Sequence, residues 1–273
     1  MKKGSVIVAL VLVIAMVFTA CQPGGKKAPT LNSIPERVYE PDKTIEFKDT
    51  YIMYGEERID LGPKAIYLDG SLSNEDIDGK DYVYNSFNEV CKNLVSGTEA
   101  DPMVVYIAPW VYWVHDPDSA KTTAAYQITI NNIANLHLIG LSNNPKNAVI
   151  CMNYGHNEGY DGGNPTMLNI SGNCSGLTMK NITFGGYCNI DLDYPLNPEL
   201  SREKRTDNIT QCQLASYSGD KLYAENCRFV SRLNMMPFNS SKRALYVDCH
   251  FESTDDSLNG SSQAVYYNCD FEF

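Results

Sequence analysis

Along the last third of the chain, apolar and polar residues alternate in short bursts that recur. Tyr223-Ala224-Glu225-Asn226-Cys227-Arg228-Phe229, Tyr246-Val247-Asp248-Cys249-His250-Phe251 and Tyr267-Asn268-Cys269-Asp270-Phe271 align without gaps, each with Asn or Asp ahead of a Cys-x-Phe unit. The units start at 227, 249 and 269, giving periods of 22 and 20 residues, which lie in the range of stacked solenoid repeats. Cys and Phe two positions apart share one face of a strand, so both point inward and the residue between them points out. A single strand-and-turn unit cannot bury its inner face; stacked coils can. The Asn or Asp is expected at a bend, bonded to local backbone. Earlier, Asn181-Ile182-Thr183-Phe184 keeps the Asn-x-x-Phe part, and Leu136, Leu138, Leu177 and Met179 keep period 2 between Gly and Asn punctuation, which argues against helices. The pattern predicts an all-β chain whose residues 126–273 form a right-handed parallel β-helix.

Ahead of it, Asn85 or Ser86 caps a short helix with Phe87, Val90, Cys91 and Leu94 on one face. Met103–Ala108 reads as a buried strand and Pro109–Trp113 as a turn into another. Residues 42–125 are therefore expected as a small α/β cap that covers the N-terminal end of the solenoid. At the very start, Lys2 and Lys3 precede the 15-residue apolar run Val6–Ala20, shorter than the ~20 residues that span a bilayer. Residues 1–20 read as a signal peptide. Its end, Phe18-Thr19-Ala20-Cys21, resembles the lipobox of bacterial lipoproteins, which implies lipidation of Cys21, membrane anchoring and a place in the bacterial cell envelope. Residues 21–41, rich in Pro, Gly and Lys, read as a tether.

Composition narrows the choice of partner. The formal charge is −11 over 273 residues, and no long basic face is available, so nucleic acid is excluded as a partner. Loss of Lys2 and Lys3 with the signal peptide makes the charge −13, so membrane adhesion must come from the lipid. Apart from Cys21 there are eight cysteines. Three stack inside the repeat, which argues against systematic pairing, and none has the CxxC spacing of a thiolate metal site.

The chain resembles the pectin-lyase-like β-helix proteins, most nearly the pectin methylesterases, over residues 66–273. The resemblance is carried by Ile66-Tyr67-Leu68-Asp69-Gly70, the Phe87 helix, Val105-Tyr106-Ile107-Ala108-Pro109, Gly219-Asp220-Lys221-Leu222, and Arg243-Ala244-Leu245-Tyr246 leading to Cys249-His250-Phe251. It implies an acidic, pectin-like polysaccharide as partner and places the esterase general acid on Asp256, within Thr254-Asp255-Asp256-Ser257-Leu258. It also implies oxyanion-binding amides where this chain has Asp255 and Leu233, neither of which can donate a hydrogen bond to an oxyanion. The nucleophilic Asp, one coil later, and its Arg fall past Phe273. The chain is thus expected to be the N-terminal portion of a longer protein, without a complete esterase site.

Asp255 and Asp256 also suit other reactions. Adjacent carboxylates drive their pKa values apart and can supply an acid and a base, as in a glycoside hydrolase, or can hold Ca²⁺ against a uronate in a lyase. Both serve one site only if they lie in a turn; otherwise they simply bond the local backbone. No other cofactor is expected. For acidic sugars the expected binding residues are Arg232 and Arg243, whose guanidinium forks match carboxylates, with pairing to Asp255 as the structural alternative. Two excursions interrupt the repeat. Tyr187–Asn208 offers Tyr194 for stacking on a sugar ring and Arg202, Lys204 and Arg205 for a uronate; Asn153–Pro165 holds His156, Glu158, Tyr160 and Asp161, a weak metal motif. Arg228, His250 and Asp270 share one outward slot, as a functional ladder or as a salt-bridge row. The expected function is action on an acidic polysaccharide; non-catalytic glycan binding and a purely structural surface solenoid are the alternatives.

Overall fold

The computed structural model describes residues 37–258 and 260–273. The expected signal peptide, Cys21 and most of the tether lie outside the described residues. Tyr39–Phe273 forms one compact unit, a right-handed parallel β-helix in which three parallel sheets wrap a common core.

The long sheet has eight strands, ending in Leu136–Gly140, Thr178–Lys180, Leu222–Glu225, Arg243–Val247 and Gln263–Tyr267 in spatial order. Its inner row runs in register through Ile66, Val105, Leu138, Met179, Ala224, Tyr246 and Tyr266. The six-stranded sheet runs from Trp110–Trp113 through Ala148–Met152, Thr183–Gly186, Arg228–Ser231 and His250–Glu252 to Asp270–Glu272. Its inner row is Tyr112, Ile150, Phe184, Phe229, Phe251 and Phe271. The third sheet has three strands, Tyr126–Asn131, Thr166–Ser171 and Gln213–Tyr217. The Cys-x-Phe register is as the repeat predicts: Arg228, His250 and Asp270 pair in line, as do the Phe residues that follow.

The residues before each Cys turn the corner between the long and six-stranded sheets. Asn181, Asn226, Asp248 and Asn268 all have φ between 49° and 58°, a left-handed conformation that Asn and Asp tolerate better than other side chains. Their side chains form a ladder. Asn226 Nδ2 donates to Asn181 Oδ1 at 2.9 Å and to Asn143 O at 2.7 Å, and Asn268 Nδ2 donates to Asp248. One coil earlier the corner position is Gly140, where an added Cβ would collide with the Asn181 carbonyl.

The cap begins later and ends earlier than the sequence suggests. Ala65–Leu68 and Met103–Ile107 already belong to the long sheet, so the solenoid starts near residue 65 rather than 126. The short periods are hidden because the Phe87–Lys92 helix is inserted between those two strands. Ser86 is its N-cap, and Phe87 and Val90 are buried against the core. An antiparallel sheet of Ile45–Phe47, Tyr51–Tyr54 and Glu57–Asp60 packs Ile52 and Ile59 against Tyr67, Val83 and Leu141 on the outer side of the long sheet.

Among the described residues, none of the eight cysteines from Cys91 to Cys269 forms a disulfide. Cys227 and Cys249 are buried, with sulfurs against the Glu225 and Val247 carbonyls at 3.4 Å. Burial raises the Cys249 thiol well above its ordinary range, so the reactive thiolate is suppressed. Alkylation under native conditions should therefore leave Cys227 and Cys249 unmodified, whereas alkylation in denaturant without reductant should modify all eight, as read by mass spectrometry. Recovery of any pair as a disulfide would contradict this.

Candidate functional site

The two excursions leave the stack at one corner, between the six-stranded and three-stranded sheets, and are tied together there. His156 N–H donates to Gln211 O at 3.0 Å, Thr210 Oγ1 donates to His156 O at 2.6 Å, and Asn208 Nδ2 donates to Glu158 Oε1 at 2.5 Å. Between them lies an open cleft of about 760 Å³, walled by His156–Glu158, Gly163–Asn164, Asn208–Gln211 and Leu233. Glu158 is engaged by Asn208 and Asp161 by Lys121, so this excursion builds a cleft wall and does not gather its acids around His156.

The Asp255-Asp256 bend is next along the stack. Cys212 N–H donates to Leu233 O at 3.3 Å, and Thr254 donates to Arg232 O through N–H at 3.0 Å and Oγ1 at 2.6 Å. The backbones of residues 211–212, 232–233 and 254–256 are thereby adjacent. Asp255 and Asp256 do lie in a turn and are exposed. Asp255 Oδ1 accepts the Asp256 N–H at 2.9 Å, the local backbone bond expected of a bend. Among the described residues, no side chain pairs with the carboxylate of Asp256 or with the exposed guanidinium of Arg232.

Asn234, one 22-residue period before Asp256, has φ 50° against 49° for Asp256, so the same bend of the preceding coil carries an amide. Asn234 is buried, and among the described residues its Oδ1 has no hydrogen-bond partner. Sequence reading missed Asn234 and Gln211. Their signal was available in the spacing, since 211, 233 and 255, and likewise 212, 234 and 256, repeat at the 22-residue period of Cys227 and Cys249.

Three expected binding residues are placed elsewhere. Tyr194 is 1% exposed, packed with Val149, Tyr187 and Val230 on the outside of the six-stranded sheet, and its hydroxyl donates to Asn147 O at 2.8 Å; it cannot stack on a sugar. Arg205 is consumed internally: Nε donates to Asn153 O at 2.8 Å, and Nη2 donates to Ser119 O and Asn153 Oδ1 at 2.9 Å. Arg243 opens a strand of the long sheet, away from the Asp255 bend, and grips Asp220 through Nε at 2.8 Å and Nη2 at 2.5 Å. Its hydrogen bond holds Asp220 down to about 2. Of the proposed sugar-binding set only Arg232 is beside the cleft and free to bind.

No family model and no curated protein matches this chain. Solved structures of similar fold are pectin methylesterases. That of Aspergillus niger is 17% identical and covers 79% of this chain and 59% of its own, with a TM-score of 0.50. The carrot enzyme is 16% identical over 77% of this chain and 52% of its own, at 0.50. The Erwinia chrysanthemi enzyme is 22% identical over 76% and 54%, at 0.49. This chain thus spans little more than half the length of those proteins, and at these identities the likeness to the Aspergillus niger and carrot enzymes establishes the right-handed parallel β-helix fold and no more.

Proposed function

We propose that this is an exported, lipid-anchored protein that acts on an acidic, pectin-like polysaccharide, bound at the corner cleft. The observation that carries this reading is a cation and a carboxylate beside one cleft: Arg232 and Asp256 are exposed, flank Leu233 through adjacent backbone, and among the described residues are not neutralised by a neighbouring side chain. Arg232 would fork onto a uronate carboxylate, and Asp256 would handle the proton or attack the carbonyl carbon. The fold shared with pectin methylesterases supports the substrate class.

Non-catalytic glycan binding is the second reading, and Leu233 and Asp255 favour it. The resemblance implies amide donors at these two positions beside Asp256; here neither side chain can donate to an oxyanion. On methylated pectin, Asp256→Asn should lower methanol release by about 10²-fold or more while leaving polysaccharide affinity within about threefold. Arg232→Ala should weaken affinity about tenfold, the worth of a charged hydrogen bond. If methanol, new reducing ends and unsaturated uronate are all absent but binding persists, the binding reading replaces the enzymatic one. Loss of neither activity nor binding in both variants overturns the site.

A further inference from the structure

The outward slot between Cys and Phe is bonded to the position that follows Phe: Arg228 pairs with Glu252, and His250 lies 3.6 Å from Glu272. His250 and Glu252 on one coil and Glu272 on the next converge on the outer face of the six-stranded sheet, each offering one ligand atom, and these atoms all lie within 4.8 Å of one another. We propose that His250, Glu252 and Glu272 form a divalent-cation site selective for Zn²⁺, clamping two successive coils.

Geometry argues for this first. His250 Nε2 and Glu272 Oε2 are 3.6 Å apart, close to the edge of a tetrahedron with metal–ligand bonds of about 2.1 Å. A normal hydrogen bond between the two would be about 2.9 Å, so this pair is spaced for an atom between them. All three ligand atoms lie within 4.8 Å of one another, and both glutamates reach the site from outward-facing strand positions. The imidazole selects Zn²⁺ over Ca²⁺ or Mg²⁺, which prefer all-oxygen sets.

Charge argues the same way. Arg228 Nη2 holds Glu252 at 2.5 Å, which neutralises one carboxylate and leaves its second oxygen for the metal. Among the described residues no Lys or Arg pairs with Glu272, so the three ligands and Arg228 together carry a net negative charge. A dication supplies that missing charge, and three protein ligands leave a fourth position for water.

The test is calorimetric titration of the metal-stripped full chain with ZnCl₂. One Zn²⁺ per chain is expected, with affinity in the micromolar range or tighter, and Glu272→Gln should weaken it by about tenfold or more. His250→Gln should do the same, while Asp161→Asn, on the remote excursion, should not change it. Glu272 is 56% exposed, so its variant retains the fold even if His250→Gln does not. No binding to the wild-type chain, or equal affinity in wild type and Glu272→Gln, overturns the proposal. Because Asp256 and Arg232 take no part, the outcome is independent of polysaccharide activity.

Discussion

Phe229→Ala is expected to lower unfolding free energy by about 3–5 kcal/mol. At roughly 2–4 °C per kcal/mol for a chain of this size, the melting midpoint should fall by about 10 °C. Phe229 is fully buried and stacks between Phe184 at 5.9 Å and Phe251 at 5.0 Å, with Phe238 and Tyr246 edge-on at 6.1 and 5.8 Å. Removal of the ring forfeits its transfer from water and the offset-stacked contacts, and leaves a void between two stacked rings that the hydrogen-bonded coils cannot close. In a solenoid each coil touches only its neighbours, so this void interrupts one of the inner columns that link successive coils. Phe229→Leu, which keeps most of the volume, should cost about a third as much. Chemical denaturation of the three proteins measures the series; a cost below about 1 kcal/mol for alanine would show that the column does not carry the stack.

Acid is expected to weaken the fold well above the range where ordinary carboxylates titrate. His115 accepts the Asn153 N–H on Nε2 at 3.1 Å, and its Nδ1 lies 2.9 Å from Asp116 O, which fixes the neutral ring with the proton on Nδ1. It stacks on Tyr154 at 3.9 Å, and Arg205 lies over the same tyrosine at 4.9 Å. Burial, followed by the Arg205 charge, lowers His115 to about 4. The folded state therefore binds fewer protons than the unfolded one between pH 6.5 and 4. Stability is complete above about 6.5 and falls as pH drops toward 4, by at most about 3 kcal/mol. His137 and His250 are also lowered and add to the slope. His115→Gln, which can still accept from Asn153, should flatten the loss between pH 6.5 and 4 in denaturation midpoints. An unchanged slope would assign the acid sensitivity elsewhere.

The solenoid was legible because its inward residues are chemically unlike their neighbours: Cys227, Phe229 and their equivalents stand out at fixed spacing, and the left-handed corner needs Asn or Asp ahead of them. Its early coils were less legible, since the helix at Phe87 separates Ile66 from Val105 and hides their shared register. The site was legible only in part. Asp256 and Arg232 stand beside a cleft; Arg243 is spent on Asp220 of the preceding coil, and Tyr194 and Arg205 were misread for one physical reason. An exposed loop that must fold back onto its own sheet uses the same residue types as one that binds sugar. Tyr194 covers Val149 and Val230, and Arg205 saturates the carbonyls of the 117–120 turn and of Asn153, which sequence spacing cannot distinguish from ligand contacts.

Vertically adjacent residues of the six-stranded sheet are separated by 34 positions from Ile150 to Phe184, 45 from Phe184 to Phe229 and 22 from Phe229 to Phe251, yet the rings stack without a break. All the extra length leaves and returns at the corner that holds the cleft. Doubling a loop costs only about 0.6 kcal/mol in closure entropy, so segment length at this corner is nearly a free variable. Insertions there can be exchanged, lengthened or grafted while the column beneath keeps its register, which makes the walls of the cleft separable from the scaffold in evolution and in engineering alike.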